Sequence, residues 1–207
     1  MTIRPLRAPD EVRRELQARL RSLYGDEAAG AAFAELLELA DAQPMRSGNY
    51  ALSERDALLI AYGDHIRKTG EAPLATLHRF LNDLETAANG LHLLPFYPYS
   101  SDDGFSVIDY EKVDPALGNW DDIHRLSEDY RLMFDAVVNH ISAHSDWFKA
   151  FTRGEAPYDN YFITVDPSAD LSLVTRPRAL PLLTPVQTPS GVRYVWTTFS
   201  ADQIDLN

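Results

Sequence analysis

The chain contains no cysteine, which removes disulfides, thiolate metal sites and thiol nucleophiles from consideration. No apolar run approaches the roughly eighteen residues that mark a membrane-spanning helix, and the N-terminus has no apolar segment of the signal-peptide kind. The expectation is therefore a cytoplasmic protein with no membrane partner. Positive charge is scarce, 19 Lys and Arg against 31 Asp and Glu, a formal charge of -12. Such a balance repels nucleic acid and leaves neutral or locally neutralised small molecules as the expected partners. What remains is ordinary globular material, 45% hydrophobic over 207 residues, enough to bury a core in one or two domains. Nothing in these totals fixes an oligomeric state.

Along the chain the composition changes twice. Residues 1–25 hold six arginines against three acids, and Val12, Leu16, Leu20 and Leu23 recur between them at helical spacing, predicting an amphipathic helix. A second helix is predicted from Asp26 to Gln43, with Phe33, Leu36, Leu37 and Ala40 inward and Pro44 as its stop; residues 47–49 read as a linker. From Asp56 strand and helix patterns alternate. Ala57–Tyr62, Leu91–Phe96 and Leu132–Val138 are short apolar runs, and between them Leu74, Leu77, Phe80, Leu81 and Leu84, then Trp120, Ile123 and Leu126, form helical stripes. That order predicts βαβ units and a parallel sheet covered on both faces. Residues 141–195 lose the rhythm and read as an excursion rich in aromatics, with Trp147, Tyr158, Tyr161 and Phe162 as its core.

Two of the strand-like runs end in polar knots. The second leads into Ser100-Ser101-Asp102-Asp103-Gly104-Phe105. Consecutive Asp and Gly make a tight turn, with Asp103 as the turn former; yet a carboxylate also accepts sugar hydroxyls, and a ring beside it offers a platform to the C–H face of a pyranose. The third run carries Asp135-x-x-x-Asn139-His140, which either bonds local backbone or faces a ligand. Arg176-Pro177-Arg178 presents guanidinium forks suited to phosphate or carboxylate, unless the pair is simply solvated. Phe199 stands in Trp196-Thr197-Thr198-Phe199-Ser200, where plain core packing is the alternative, and Gln203 and Asp205 lie close behind it. His140 and His144 are four apart, a spacing that can bind zinc on a helix, but no third ligand accompanies them and no metal is expected.

Taken together, from about Ala51 to Asn207, these motifs resemble the sucrose phosphorylase branch of the α-amylase-like glycoside hydrolases, and within it the glucosylglycerate phosphorylase-like members. The resemblance implies an α/β fold, the N-terminal part of a (β/α)8 TIM barrel with its first three strands, and an excursion domain after the third. Four regions follow: an N-terminal helical extension at 1–50, three βα units at 51–140, the excursion at 141–195 and the start of the return to the barrel at 196–207. Barrel chemistry sits where the strands finish. By resemblance Asp102, Phe105, His140, Phe199 and Gln203 bind a glucose unit, Arg178 faces phosphate or an anionic acceptor, and Asp135, Asn139 and Asp205 shape the pocket; calcium is not expected.

Family enzymes retain configuration through a carboxylate nucleophile and an acid/base carboxyl, with inorganic phosphate as co-substrate and no further cofactor. The resemblance puts both carboxylates beyond Asn207, so none of this chain's residues is expected to be catalytic. The expectation is an N-terminal piece of an α-glucoside phosphorylase, inactive alone, its partners a small-molecule α-glucoside and phosphate. The alternatives are a hydrolase or transglucosidase of the same fold and a non-catalytic sugar-binding or regulatory protein.

Overall fold

A computed structural model describes residues 9–42, 53–54, 56–84, 88–175 and 179–207. The linker expected at 47–49 lies outside them. The chain divides into two compact units, Met1–Ala51 and Leu52–Asn207.

In the first unit the described residues form α1 (Pro9–Ala42), broken at Gly25, whose φ of 75° and ψ of 169° are not helical. Glycine enters the positive-φ region without a Cβ penalty, so the two expected helices meet there. Their inward stripes need correction. Leu20 and Ala29, on either side of the break, are buried, while Val12 and Leu23 are exposed and Leu16 is half-buried. Beyond the break Phe33 and Leu37 are half-buried, and Leu36 and Ala40 are exposed. Among the described residues of this unit no third layer packs on the two helices, which cover little beyond the residues nearest their junction.

The second unit begins with β1 (Leu58–Ala61), α2 (Pro73–Asp83), β2 (Gly90–Leu93), α3 (Trp120–Asp129) and β3 (Arg131–Phe134). The strands lie parallel in the order β1-β2-β3, with Ala61 opposite Leu93 and Leu93 opposite Phe134. Pro73 enters α2 at its first turn, where the missing N–H costs nothing. Asn119 caps α3 by accepting from the Asp121 and Asp122 amides, and Asp122 returns a bond to the Asn119 N–H. Such a capping box satisfies backbone donors that the helix cannot. Leu91 and Leu93 alternate along β2 onto one face, where they pack fully buried among Leu74, Leu77 and Leu81 of α2 and Ile123 and Leu126 of α3. Among the described residues the other face is not covered as the sequence predicts. Leu58, Ile60 and Met133 are about half exposed, and His92 projects there from the middle strand. The ladder also ends sooner than expected, because β2 runs into Pro95, which has no N–H to pair, and β3 stops with it at Phe134.

Beyond β3 the chain builds a second core. β4 (His140–Ser142) pairs antiparallel with β7 (Gln203–Asp205), α4 (Asp146–Thr152) starts from a Ser145 cap, and β5 (Leu183–Thr188) with β6 (Gly191–Trp196) forms a hairpin. Ile141, Phe148, Phe151, Phe162, Val195 and Ile204 close this core, so the expected aromatics Trp147, Tyr158 and Tyr161 pack around its edge and Phe162 within it. The hairpin departs from the irregular excursion expected at 141–195, and Pro189-Ser190-Gly191 is its turn signal. No described helix is long and apolar enough to cross a membrane.

Since Leu91 is fully buried between the sheet and both helices, Leu91→Ala should lower stability by about 2–5 kcal/mol, read as a lower urea midpoint at unchanged slope. A loss below 1 kcal/mol would mean that this layer is not the core of the unit.

Candidate functional site

The parallel ladder delivers two chain segments to the same edge. After β2 the backbone turns through a hairpin closed by the Ser100 N–H on Ser106 O at 3.0 Å and the Ile108 N–H on Pro98 O at 2.7 Å. At its tip Asp102, Asp103 and Gly104 all have positive φ, 57°, 49° and 101°. Three left-handed residues in succession, two of them with side chains, is a costly backbone that surrounding structure must hold. Gly104 is required there twice over, because a Cβ would also come within 2.9 Å of the Pro95 carbonyl. After β3 the chain runs from Asp135 to Asn139 without ladder partners and enters β4 at His140.

These segments meet with the residues around β7. Asp102, Phe105, Asp135, Asn139, His140, Phe199 and Gln203, with Ala136 and Val137, line one open pocket of about 280 Å³. Gln203 is its hub. Only 2% exposed, its Nε2 donates to Asp102 Oδ2 at 3.0 Å and lies 3.3 Å from His140 Nε2, while its Oε1 accepts from Ser200 Oγ at 3.0 Å. His140, also buried, has Nε2 2.8 Å from the Phe105 carbonyl and Nδ1 2.9 Å from the Asn139 amide. That pattern fits an Nε2–H donating to the Phe105 carbonyl and an Nδ1 accepting from the Asn139 amide. Phe199 stands beside it, ring centroids 5.2 Å apart and tilted by 58°. Asp205 fixes this aromatic segment by accepting from the Thr198 N–H at 2.8 Å and the Thr198 hydroxyl at 2.7 Å. Carboxylate, amide, imidazole and two aromatic faces around so small a space suit a single ring bearing hydroxyls. Arg178 lies outside the described residues.

Several residues that sequence reasoning missed hold this arrangement. His92 Nε2 lies 2.9 Å from Asp135 Oδ2, and the only hint was a polar residue inside an apolar strand. Asp202 Oδ2 accepts from Ser100 at 2.6 Å, Ser101 at 2.5 Å and Ser106 at 2.8 Å. Burial works against ionisation of Asp202, yet the three hydroxyls and nearby His144 prevail and hold its carboxyl below the usual carboxylate range. Behind the pocket the Tyr110 hydroxyl donates to the Val137 and His140 carbonyls, each at 2.7 Å; burial, helped by Tyr97, pushes it up to about 12. Tyr62, at the end of β1, is raised by burial and by the negative field of Asp103, Asp102 and Asp135. His140 and His144 do not converge, since His144 is 71% exposed against Asp202, and among the described residues no group of three His, Asp or Glu could hold a metal.

The alpha-amylase catalytic-domain family model matches residues 79–183, half of the chain, and the chain belongs to that family of α/β barrel proteins. Within the family it is 54% identical over 198 residues to the glucosylglycerate phosphorylase of Allomeiothermus silvanus, covering 95% of this chain and 36% of that protein. To the sucrose phosphorylase of Streptococcus mutans it is 34% identical over 161 residues, 72% of this chain and 33% of the other. The crystal structure of sucrose 6F-phosphate phosphorylase from Thermoanaerobacter thermosaccharolyticum superposes with a TM-score of 0.65 at 29% identity, over 76% of this chain and 34% of that one. The chain thus spans about a third of the length of these relatives.

Because its folded pKa is lowered, ionised Asp202 adds stability above the unfolded value near 3.8, and that contribution is lost as pH falls through the folded value. Asp202→Asn should therefore cost on the order of 1.5–3 kcal/mol at neutral pH, and its deficit should shrink below the ordinary carboxylate range. Parallel stability curves for the two proteins across that acid limb would rule the clasp out. Gly104→Ala should broaden or shift the amide NMR signals of residues 100–106 and lower stability by about 1–3 kcal/mol; an unperturbed spectrum would mean that the left-handed turn is not required.

Proposed function

We propose that this chain supplies the sugar-binding portion of a retaining α-glucoside phosphorylase. The parent reaction is reversible phosphorolysis of an α-glucoside, glucosylglycerate ahead of sucrose, to α-glucose 1-phosphate and the free acceptor. The reading rests on one observation above the others: Asp102, Phe105, His140, Phe199 and Gln203 share one small pocket. The preference for glucosylglycerate follows the identity of 54% to a phosphorylase of that name against 34% to a sucrose phosphorylase.

The glucose ring binds with its hydroxyls toward Asp102, whose Oδ1 has no described partner while Oδ2 is held by Gln203. Phe105 and Phe199 offer apolar faces to its C–H edges. Asp135 and Asp205 are tied to His92 and Thr198, which makes them shaping groups. The carboxylate that attacks the anomeric carbon and the carboxyl that protonates the leaving oxygen come from elsewhere in the protein, so residues 1–207 alone bind and do not turn over. Inorganic phosphate is the co-substrate that takes the glucosyl group, with Arg178 as its two-point contact, and no cofactor enters.

Titration of the chain with glucosylglycerate, followed by NMR of the Gln203 side-chain amide, should give saturable binding that weakens about tenfold or more in Asp102→Asn. Incubation with glucosylglycerate and phosphate should release no glucose 1-phosphate. Absence of binding would remove the glucoside reading, and turnover by the chain alone would overturn the assignment of the reacting carboxylates elsewhere.

A further inference from the structure

The hairpin after β2 has a second side. Between its returning limb and the start of α4 lies an open cleft of about 490 Å³, larger than the Asp102 pocket. Its walls carry three half-buried rings, Tyr110, Trp147 and Tyr158. Tyr110 and Trp147 stand 5.9 Å apart at 50°, and Tyr161 braces Trp147 edge-on at 5.5 Å and Tyr158 at 5.1 Å. The Tyr110 hydroxyl is already spent on two backbone carbonyls, and Lys112 is spent on Asp109 at 2.6 Å. Three other groups are not spent. The Trp147 indole N–H, the Tyr158 hydroxyl and the Glu111 carboxylate make no hydrogen bond to any described residue. Trp147 and Tyr158 are half-buried and Glu111 is exposed, so the cleft keeps two donors and one acceptor available to a ligand from solution.

We propose that this cleft is a second binding site, distinct from the Asp102 pocket, for a neutral ring-shaped polyol such as a monosaccharide or one unit of a glycoside. The chemistry of the open groups selects that class. An anion meets Glu111 and Asp109 with no unpaired cation among the described lining residues. A cation has no use for the Trp147 and Tyr158 donors. A flat aromatic ligand could stack on Trp147 but gives Glu111 nothing to accept. Only a group that donates and accepts satisfies all three, and a sugar also has a C–H face for the rings. The proposal stands on residues other than those of the glucoside reading. Tyr110 joins the two sites physically, its ring in the cleft wall and its hydroxyl on the carbonyl of His140.

The test is NMR of the three tryptophan indole N–H signals of the chain during titration with methyl α-D-glucoside. Trp147 should shift saturably. Trp147→Phe and Tyr158→Phe each leave an aromatic ring and remove the donor, and each should weaken binding at the cleft about three- to tenfold. In the tryptophan-to-phenylalanine variant the Tyr158 ring signals serve as the probe. Asp102→Asn should leave the Trp147 response unchanged; loss of the response in that variant would assign the shift to the other pocket and overturn the proposal. No Trp147 shift with the glucoside, or a larger shift with tetramethylammonium, would overturn it equally. A variant that fails to fold is recognised by its amide spectrum, and the remaining variant then decides.

Discussion

One carboxylate oxygen carries the geometry of the candidate site. Asp202 Oδ2 collects the hydroxyls of Ser100, Ser101 and Ser106, fastening a strained loop from the sheet to the β4–β7 pair. Bonds to an ionised acceptor are about twice as strong as neutral ones, and this loop needs them, because Asp102, Asp103 and Gly104 all sit in the left-handed region. The next residue, Gln203, then reaches Asp102 and His140 from below. The clasp acts together with the His140–Phe105 carbonyl contact to keep Asp102 within 3.0 Å of Gln203.

The scaffold behind this is simple. A three-stranded parallel sheet with helices on one face brings the ends of β2 and β3 side by side, and the chain leaving β3 becomes the first strand of a second core. That core is fixed by aromatic packing, and it returns β7 to β4. The pocket therefore lies where two independently packed layers touch, and His92, on the uncovered sheet face, steadies Asp135 from the barrel side. His92 of the middle strand serves the site, while its apolar neighbours Leu91 and Leu93 serve the core.

Much of this was legible locally. The runs around Ile60, Leu91 and Leu132 announce strands, Leu74-Leu77-Leu81 announces a helix, and a second N-terminal helix is expected to begin at Asp26, because each signal is a local pattern within a few positions. The two site motifs were legible for the same reason. The boundaries were less so: β3 stops at Phe134 since its partner strand meets Pro95, a fact of pairing that no inspection of Leu132–Val138 reveals. The β5–β6 hairpin is less legible, because Val192-Arg193-Tyr194-Val195-Trp196 does not alternate apolar with polar residues.

What the sequence determined by itself is the kind of groups available near the strand ends: carboxylates, an imidazole, aromatic faces, and no thiol. Which of them touch was decided only by the tertiary structure. Asp202 and its serines are 96 to 102 residues apart, and His92 and Asp135 are 43 apart, so their pairing depends on strand register and on the docking of one core against another. Hydrogen bonds act over about 3 Å, whereas sequence patterns constrain only neighbours along the chain, and the distance between those two scales is what folding supplies.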